Sequence, residues 1–131
     1  MSHTIENLLI VCMDFRLPKN HIDWAEKNLG NKNYDLVALA GSQKAITDED
    51  TMATSFKQIE TSVNLHGTKV INIIAHEDCG AYGGSKVFSG WEEERQKYID
   101  DLNEAEKLIK EKFEVEVKKY ILLLDGKIKL V

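Results

Sequence analysis

Two short clusters in the sequence carry the side chains best suited to hold a metal ion or to orient a reacting water. Cys12, Asp14 and Arg16 alternate after an apolar run, and His76 and Cys79 follow a second apolar run. Two thiolates and an imidazole suit zinc rather than magnesium or calcium, which prefer oxygen ligands. The spacing therefore predicts one Zn²⁺ per chain, held by Cys12, His76 and Cys79.

The fourth position at this zinc decides what kind of site it is. Water fills that position in catalytic sites, whereas a protein ligand fills it in structural sites, and Asp14 is the candidate protein ligand. Arg16 can instead hold Asp14 in a bidentate ion pair, which lowers the pKa of the carboxyl and keeps it off the metal. While Arg16 holds Asp14, the carboxylate can either take the proton of the nucleophilic water or orient the hydroxide by accepting its hydrogen bond. When Arg16 releases Asp14, the carboxylate can bind the zinc as fourth ligand, so the ion pair would act as a gate.

A simpler interpretation exists for each cluster. Cys12 and Cys79 could be buried thiols beside a core histidine, and Asp14 with Arg16 could be a structural ion pair. The spacing from Cys12 to Arg16 is too short for the anion-binding loop of a cysteine phosphatase. We favour metal binding because two separate apolar runs both end in residues that ligate soft metals.

The elements that must bring the clusters together are strands that alternate with helices. Apolar runs predict strands at 8–13, 34–40 and 70–75, and helical periodicity predicts helices that begin at Pro18, at a Thr47 capping signal and near Trp91. Gly67 ends the second helix, and the third runs to about residue 113. The Asp-Gly pair at 125–126 separates two strand-like runs and predicts a hairpin.

This order predicts an α/β fold with three layers. We expect a mainly parallel sheet of about four strands, helices on both faces and a C-terminal antiparallel hairpin strand. Functional groups gather outside the carboxyl ends of parallel strands, so Cys12, Gly41 and His76 should meet at one edge of the sheet. We also expect Gly41, Ser42 and Gly80 to line a substrate pocket there.

The other histidines and aromatic residues receive no definite role. We expect His21 and His66 to lie on helix surfaces rather than to shuttle protons. Trp24 either joins the buried face of the first helix or forms a subunit contact. Tyr82 either lines the pocket beside Cys79 or anchors the glycine-rich turn that follows it.

Composition excludes several function classes. The net charge of −5 and the lack of a basic stripe argue against a nucleic-acid partner, and the apolar runs are too short to span a membrane. Hydrophobic residues make up 43% of the 131 residues, so we expect one domain over 1–131 with its own core. Two cysteines without a signal peptide predict a reducing, cytoplasmic location.

The two motifs together resemble the β-class carbonic anhydrases. Cys12-x-Asp14-x-Arg16 precedes His76-x-x-Cys79-Gly80, and Ala40-Gly41 stands where that family has an Ala-Gly turn. The resemblance implies a zinc lyase that hydrates carbon dioxide reversibly to bicarbonate, with an Asp–Arg pair that gates the fourth zinc position. It also implies a homodimer or a higher homo-oligomer, whose second subunit walls part of the active-site cleft.

Two other functions stay open from the sequence. The first is hydrolysis of a related small linear substrate, carbonyl sulfide or carbon disulfide. The second is a non-catalytic regulatory module of the same fold, stabilised by zinc. The second is considered because Ala38-Leu39 stands where the family commonly has Arg-Asn. The chain is also shorter than typical members and lacks the N-terminal helices that wrap a partner subunit.

Overall fold

The computed structural model describes residues 3–131 and contains a five-stranded sheet in the order β2-β1-β3-β4-β5. The elements in chain order are β1 (Asn7–Cys12), α1 (Pro18–Asn28), β2 (Tyr34–Leu39), α2 (Gln43–Thr47), α3 (Glu49–His66), β3 (Val70–His76), α4 (Trp91–Lys112), β4 (Glu116–Leu122) and β5 (Ile128–Leu130). Four strands are parallel, and β5 pairs antiparallel with β4. The predicted fold class is confirmed.

The central strands β1 and β3 are buried along their whole length, as continuous apolar runs predict for strands covered on both faces. Alternate β1 residues point to opposite sides, so Leu8 and Ile10 join one core cluster while Leu9 and Val11 join another. Helices α3 and α4 cover the first face, and α1 covers the second. The sheet therefore lies between two helical layers.

Helix α4 follows the predicted pattern closely. Tyr98, Leu102, Ala105 and Ile109 lie on one face and are fully buried against the sheet. Helix α3 contributes Phe56 and Ile59 to the same core cluster. It ends at Gly67, as predicted, and this glycine has a left-handed backbone conformation. Within residues 3–131, no helix has the length and the apolar character that a membrane crossing requires.

The segment between β2 and α3 differs from the prediction. The five-residue helix α2 was not foreseen, because a single helical turn has too few residues to show a periodic pattern. The predicted cap at Thr47 is wrong: Asp48 occupies the N-cap position of α3. The hydroxyls of Thr51 and Ser55 instead donate to the Ala45 carbonyl at 2.8 and 2.7 Å, which fastens α3 to α2.

The prediction that His21 lies on a helix surface is wrong. The side chain faces the sheet beside Ala25, and the residue is only 2% exposed. Neither ring nitrogen has a hydrogen-bond partner among residues 3–131. Burial, followed by the nearby His76, lowers the pKa of His21 from 6.5 to about 4, so the ring is neutral at physiological pH. Trp24 packs within the chain, edge-to-face on Tyr120 at a ring-centroid distance of 4.7 Å.

Candidate metal centre

The parallel pairing of β1 with β3 brings the two sequence clusters to one edge of the sheet. Cys12 is the last residue of β1, and His76 is the last residue of β3. Cys79 follows in the turn after β3. One ligand atom from each of the three lies within 4.8 Å of the other two, and all three residues are buried.

The protonation of the His76 ring leaves one nitrogen free for a metal. Its Nδ1 lies 2.7 Å from the Glu77 carbonyl oxygen, which can only accept, so Nδ1 carries the proton and donates. The Nε2 lone pair is therefore available, and Nε2 has no hydrogen-bond partner in the described chain. Burial alone would lower the pKa of His76, but the Cys12 sulfur and the Glu77 carbonyl raise it overall.

The two thiols influence each other's ionisation. Contact with the Cys79 thiol, together with the His76 ring and the Gly41 N–H, lowers the pKa of Cys12 against the effect of burial. The same contact raises the pKa of Cys79, since two neighbouring sulfurs do not both ionise unaided. A divalent cation removes that conflict, because it favours both thiolates at once.

Gly41 supports Cys12 from the end of β2. Its N–H donates to the Cys12 sulfur across 3.4 Å. Its φ of +84° is unfavourable for other residues, and an added Cβ would lie 2.8 Å from the Lys44 Cβ and 3.1 Å from the Ala81 Cβ. A glycine is therefore required for this backbone to approach the sulfur.

Asp14 and Arg16 form a close ion pair beside the three ligands. Arg16 Nη2 donates to Asp14 Oδ2 at 2.7 Å, Arg16 Nε donates to Oδ1 at 3.0 Å, and the Arg16 backbone N–H donates to Oδ1 at 2.9 Å. The guanidinium hydrogen bonds lower the pKa of Asp14 to about 2. Asp14 Oδ2 also lies 3.8 Å from His76 Nε2, so the carboxylate borders the ligand cluster.

Asp78 is a further partner of Arg16 that the sequence interpretation missed. Arg16 Nη1 donates to Asp78 Oδ2 at 3.0 Å, and Nη2 donates to the Asp78 carbonyl at 2.9 Å. The Ser85 N–H, followed by Arg16, holds the pKa of Asp78 below its usual value. The available signal was its position between His76 and Cys79, which places it at the same sheet edge.

An open surface cavity of about 740 Å³ exposes the ion pair to solvent. Its lining consists of Asp14, Phe15, Arg16, Asp78, Gly80, Gly83, Gly84, Lys86 and Val87. Gly80 lies on this wall, and a Cβ added there would meet no atom within 4 Å. The structure does not bring Ser42 to this wall: Ser42 is fully buried, and its hydroxyl donates to the Ile10 carbonyl at 3.3 Å.

Two residues of α4 contact the backbone of the site on the side of the sheet that this helix covers. The sequence interpretation assigned neither residue to the site. Glu94 and Tyr98 hydrogen-bond the backbone N–H groups of Asp78 and Cys79. Glu94 belongs to an acidic run that is typical of a solvated helix face. The signal that could have found it is the buried stripe of α4, which reaches Glu94 when extended one turn before Tyr98. Tyr82 anchors its turn by donating to Asp101 Oδ2 at 2.7 Å.

Sequence comparison identifies relatives along nearly the whole chain. The profile of the family described as "Putative carbonic anhydrase" matches residues 2–131. An uncharacterized protein of Rickettsia bellii is 36% identical over 132 residues, which cover 95% of this chain and 80% of that protein. An uncharacterized protein of Rickettsia conorii is 38% identical over 127 residues, which cover 91% of this chain and 68% of that protein.

Solved structures of β-carbonic anhydrases share the fold. The carbonic anhydrase from Glaciozyma antarctica superposes with a TM-score of 0.65 at 16% identity, over 95% of this chain and 80% of that one. A tetrameric β-carbonic anhydrase from Sordaria macrospora gives a TM-score of 0.61 at 18% identity, over 98% and 81% of the two chains. These identities establish the fold alone, whereas the family profile spans the sequence itself. The resemblance drawn from the two motifs is thus confirmed, and this chain belongs to the carbonic anhydrase family.

Proposed function

We propose that this protein is a zinc-dependent lyase that catalyses the reversible hydration of carbon dioxide to bicarbonate. The observation that carries the proposal is the convergence of Cys12, His76 and Cys79 beside an ionised Asp14. The three ligand atoms lie within 4.8 Å of one another, and the Asp14 carboxylate borders them. Family membership supports the same reaction.

The donor set fits one Zn²⁺ per chain. Two sulfurs and one imidazole nitrogen are the ligands of catalytic zinc sites that keep one position open, and His76 Nε2 has its lone pair free. Zinc, when bound, supplies Lewis-acid chemistry that makes water acidic enough to act as a nucleophile near neutral pH. Cys12, His76 and Cys79 would hold the metal, while the Glu77 carbonyl keeps the imidazole in the required tautomer.

Asp14 would act by orienting the attacking water rather than by taking its proton. Even a water activated to a pKa of about 7 would lose its proton to a carboxylate of pKa about 2 only at a cost of about 7 kcal/mol. The carboxylate instead accepts a hydrogen bond and fixes the direction of the water lone pair. Arg16 fixes Asp14 in turn, and the proton leaves through the open cavity to buffer.

The cavity supports a homodimer or higher homo-oligomer. Phe15 is 88% exposed and Val87 is 56% exposed at its wall, so one copy of the chain leaves apolar side chains uncovered beside the ion pair. We propose that a second copy of the chain covers them, with residues 1–131 acting as one zinc domain per subunit. The free thiols Cys12 and Cys79 suit the reducing cytoplasm.

Stopped-flow measurement of carbon dioxide hydration on zinc-loaded protein tests the proposal. We expect one zinc per chain and a hydration rate that rises with pH towards about 9, because thiolate ligands acidify water less than three histidines do. Protein that binds one zinc per chain and hydrates no carbon dioxide from pH 7 to about 9 would refute the activity. Turnover of carbonyl sulfide and carbon disulfide under the same conditions separates the related hydrolases.

A further inference from the structure

A carboxylate is buried behind the candidate metal centre. Glu94 on α4 is 2% exposed, although the rest of the buried stripe on that helix is apolar apart from one hydroxyl. Burying a charged carboxylate is costly unless strong hydrogen bonds compensate it. Glu94 Oε2 accepts two of these: the Asp78 N–H donates at 2.7 Å, and the Tyr98 hydroxyl donates at 2.7 Å.

Tyr98 extends this arrangement to the next amide of the turn. Its oxygen donates to Glu94 and accepts from the Cys79 N–H at 3.3 Å. The residue is fully buried, and its ring packs edge-to-face on Tyr82 at a centroid distance of 5.0 Å. Two consecutive backbone N–H groups, one of them on a metal-ligand candidate, are therefore fixed by one Glu–Tyr pair.

The backbone that this pair fixes is itself unusual. Asp78 has a φ of +60°, a left-handed conformation that costs about 1 kcal/mol or more for a residue with a Cβ. In this conformation its carbonyl and its carboxylate both accept from Arg16, at 2.9 and 3.0 Å. A continuous chain of contacts thus runs from Glu94 through Asp78 to Arg16 and on to Asp14.

We propose that Glu94, together with Tyr98, is a positioning residue for the metal centre and its ion pair. Glu94 touches no reacting atom; it holds the 78–79 backbone so that Cys79 faces the other ligands and Arg16 is directed at Asp14. The part of the inference that concerns catalysis rests on the proposed function. The part that concerns metal geometry rests only on metal binding by Cys12, His76 and Cys79, since it follows from the hydrogen bonds to Asp78 and Cys79.

The test uses Glu94→Gln, Tyr98→Phe and the double variant, each as the full chain. Glutamine keeps the shape of Glu94 and removes its charge, and phenylalanine keeps the packing ring and removes the hydroxyl. Glu104→Gln is the matched control, because Glu104 is an exposed acid on the same helix. The readouts are zinc affinity by chelator competition, the thiolate-to-metal absorption of the Co²⁺-loaded protein, and the thermal unfolding midpoint.

We expect both single variants to bind zinc about 10- to 100-fold more weakly and to shift the Co²⁺ absorption, as outer-shell partners of metal ligands do. The double variant should lose less than the product of the single effects, because the two side chains act as a unit. Glu104→Gln should match the wild type. Should Glu94→Gln fail to fold, the affinity and spectrum of Tyr98→Phe decide the question.

A lower unfolding midpoint with unchanged zinc affinity and an unchanged Co²⁺ spectrum would overturn the inference, because it would mark Glu94 as part of the core only. Activity separates the two proposals. If the wild type binds zinc but hydrates no carbon dioxide, the proposed function fails, while altered metal affinity in Glu94→Gln would still support the positioning role. If the wild type is active and the variants keep its metal affinity, spectrum and pH profile, the positioning role fails alone.

Discussion

Two polar clusters lie at opposite ends of the same sheet, and they contain similar residue types. At the carboxyl ends of the strands, an imidazole and a carboxylate stand beside two thiols. At the amino end of β2, Asp35 Oδ2 accepts from the Ser62 hydroxyl at 2.7 Å and lies 2.7 Å from His66 Nδ1. Ser62 and Thr68 hydroxyls lie 2.6 Å apart in the same network.

The difference between the clusters lies in what each leaves unpaired. In the Asp35 cluster, the hydroxyls of Ser62 and Thr68 both have hydrogen-bond partners within the cluster. The cluster therefore joins α3 to β2 and needs no ligand to satisfy it. In the candidate metal cluster, His76 Nε2 has no hydrogen-bond partner in the described chain, and the two sulfurs compete for one negative charge. Metal-ligating atoms that converge and lack hydrogen-bond partners therefore indicate a bound ligand more strongly than residue types do.

The largest expected effect comes from the ligands themselves. Cys79→Ser replaces a soft thiolate by a hard hydroxyl, so bound zinc should fall from one per chain to near zero and hydration activity should fall to background. Elemental analysis after dialysis measures the first, and stopped-flow kinetics measures the second. A Cys79→Ser protein that keeps one tightly bound zinc would contradict the assigned ligand set.

Asp14→Asn should separate orientation from metal binding. The amide keeps the size of the carboxylate but loses its charge and one acceptor oxygen, so kcat should fall by about 10² to 10³ while zinc content stays at one per chain. Kinetics and metal analysis on the same preparation provide the check. A variant with full activity would show that the ion pair of Asp14 and Arg16 is only structural.

His21, which belongs to neither cluster, makes its own pH-dependent contribution to stability. The pKa of His21 is about 4 in the folded protein and 6.5 when unperturbed, so protons bind preferentially to the unfolded chain. Its contribution to folding is complete above pH 6.5 and is lost as the pH falls to about 4, by up to about 3 kcal/mol. His21→Leu should remove this loss, which denaturant unfolding at pH 7 and pH 4.5 measures.

The quantity to compare for His21 is the change in the free energy of unfolding between pH 7 and pH 4.5, in the wild type and in the variant. At pH 7 the leucine variant should be as stable as the wild type or slightly more so, because no hydrogen bond to the ring is lost. An equal dependence on pH in both proteins would show that the His21 ring is solvated in the native state.

The smallest effect is expected in the Asp35 cluster. Ser62→Ala removes the donor to Asp35 and leaves the buried Thr68 hydroxyl without this partner, which should cost about 1–2 kcal/mol of folding free energy. Zinc affinity and activity should not change, because the cluster lies at the far end of the sheet. Weakened zinc binding in this variant would show that the two ends of the sheet are coupled.

The sequence was sufficient for the residues whose place depends on strand order. Parallel strands put Cys12 and His76 at one edge whatever the details of packing, and Gly41 follows from the turn after β2. Residues whose place depends on a rotation or a turn were beyond reach. His21 and Ile22 are neighbours on α1, and only the packed helix decides which of them faces the sheet. The left-handed turn at Ser42 likewise directs its hydroxyl inward to β1.

Glu94 could not be assigned to the site from the sequence for a different reason. Its neighbours in sequence are acidic, and only the position of the 78–79 backbone beneath α4 makes a carboxylate useful there. Helix periodicity predicts burial but not the polar group that a buried position contacts. Contacts between elements distant in the chain therefore had to come from the structure.

The two sequence clusters that form the candidate metal centre lie far apart along the chain, and this separation has a consequence for folding kinetics. Arg16 and Asp78 are 62 positions apart, and the parallel pairing of β1 with β3 must close that loop before they meet. Non-local parallel pairing is a slow step in folding. The complete ligand set therefore forms late, so the zinc binding proposed for this site should report the arrival of the native topology and should stabilise it against unfolding.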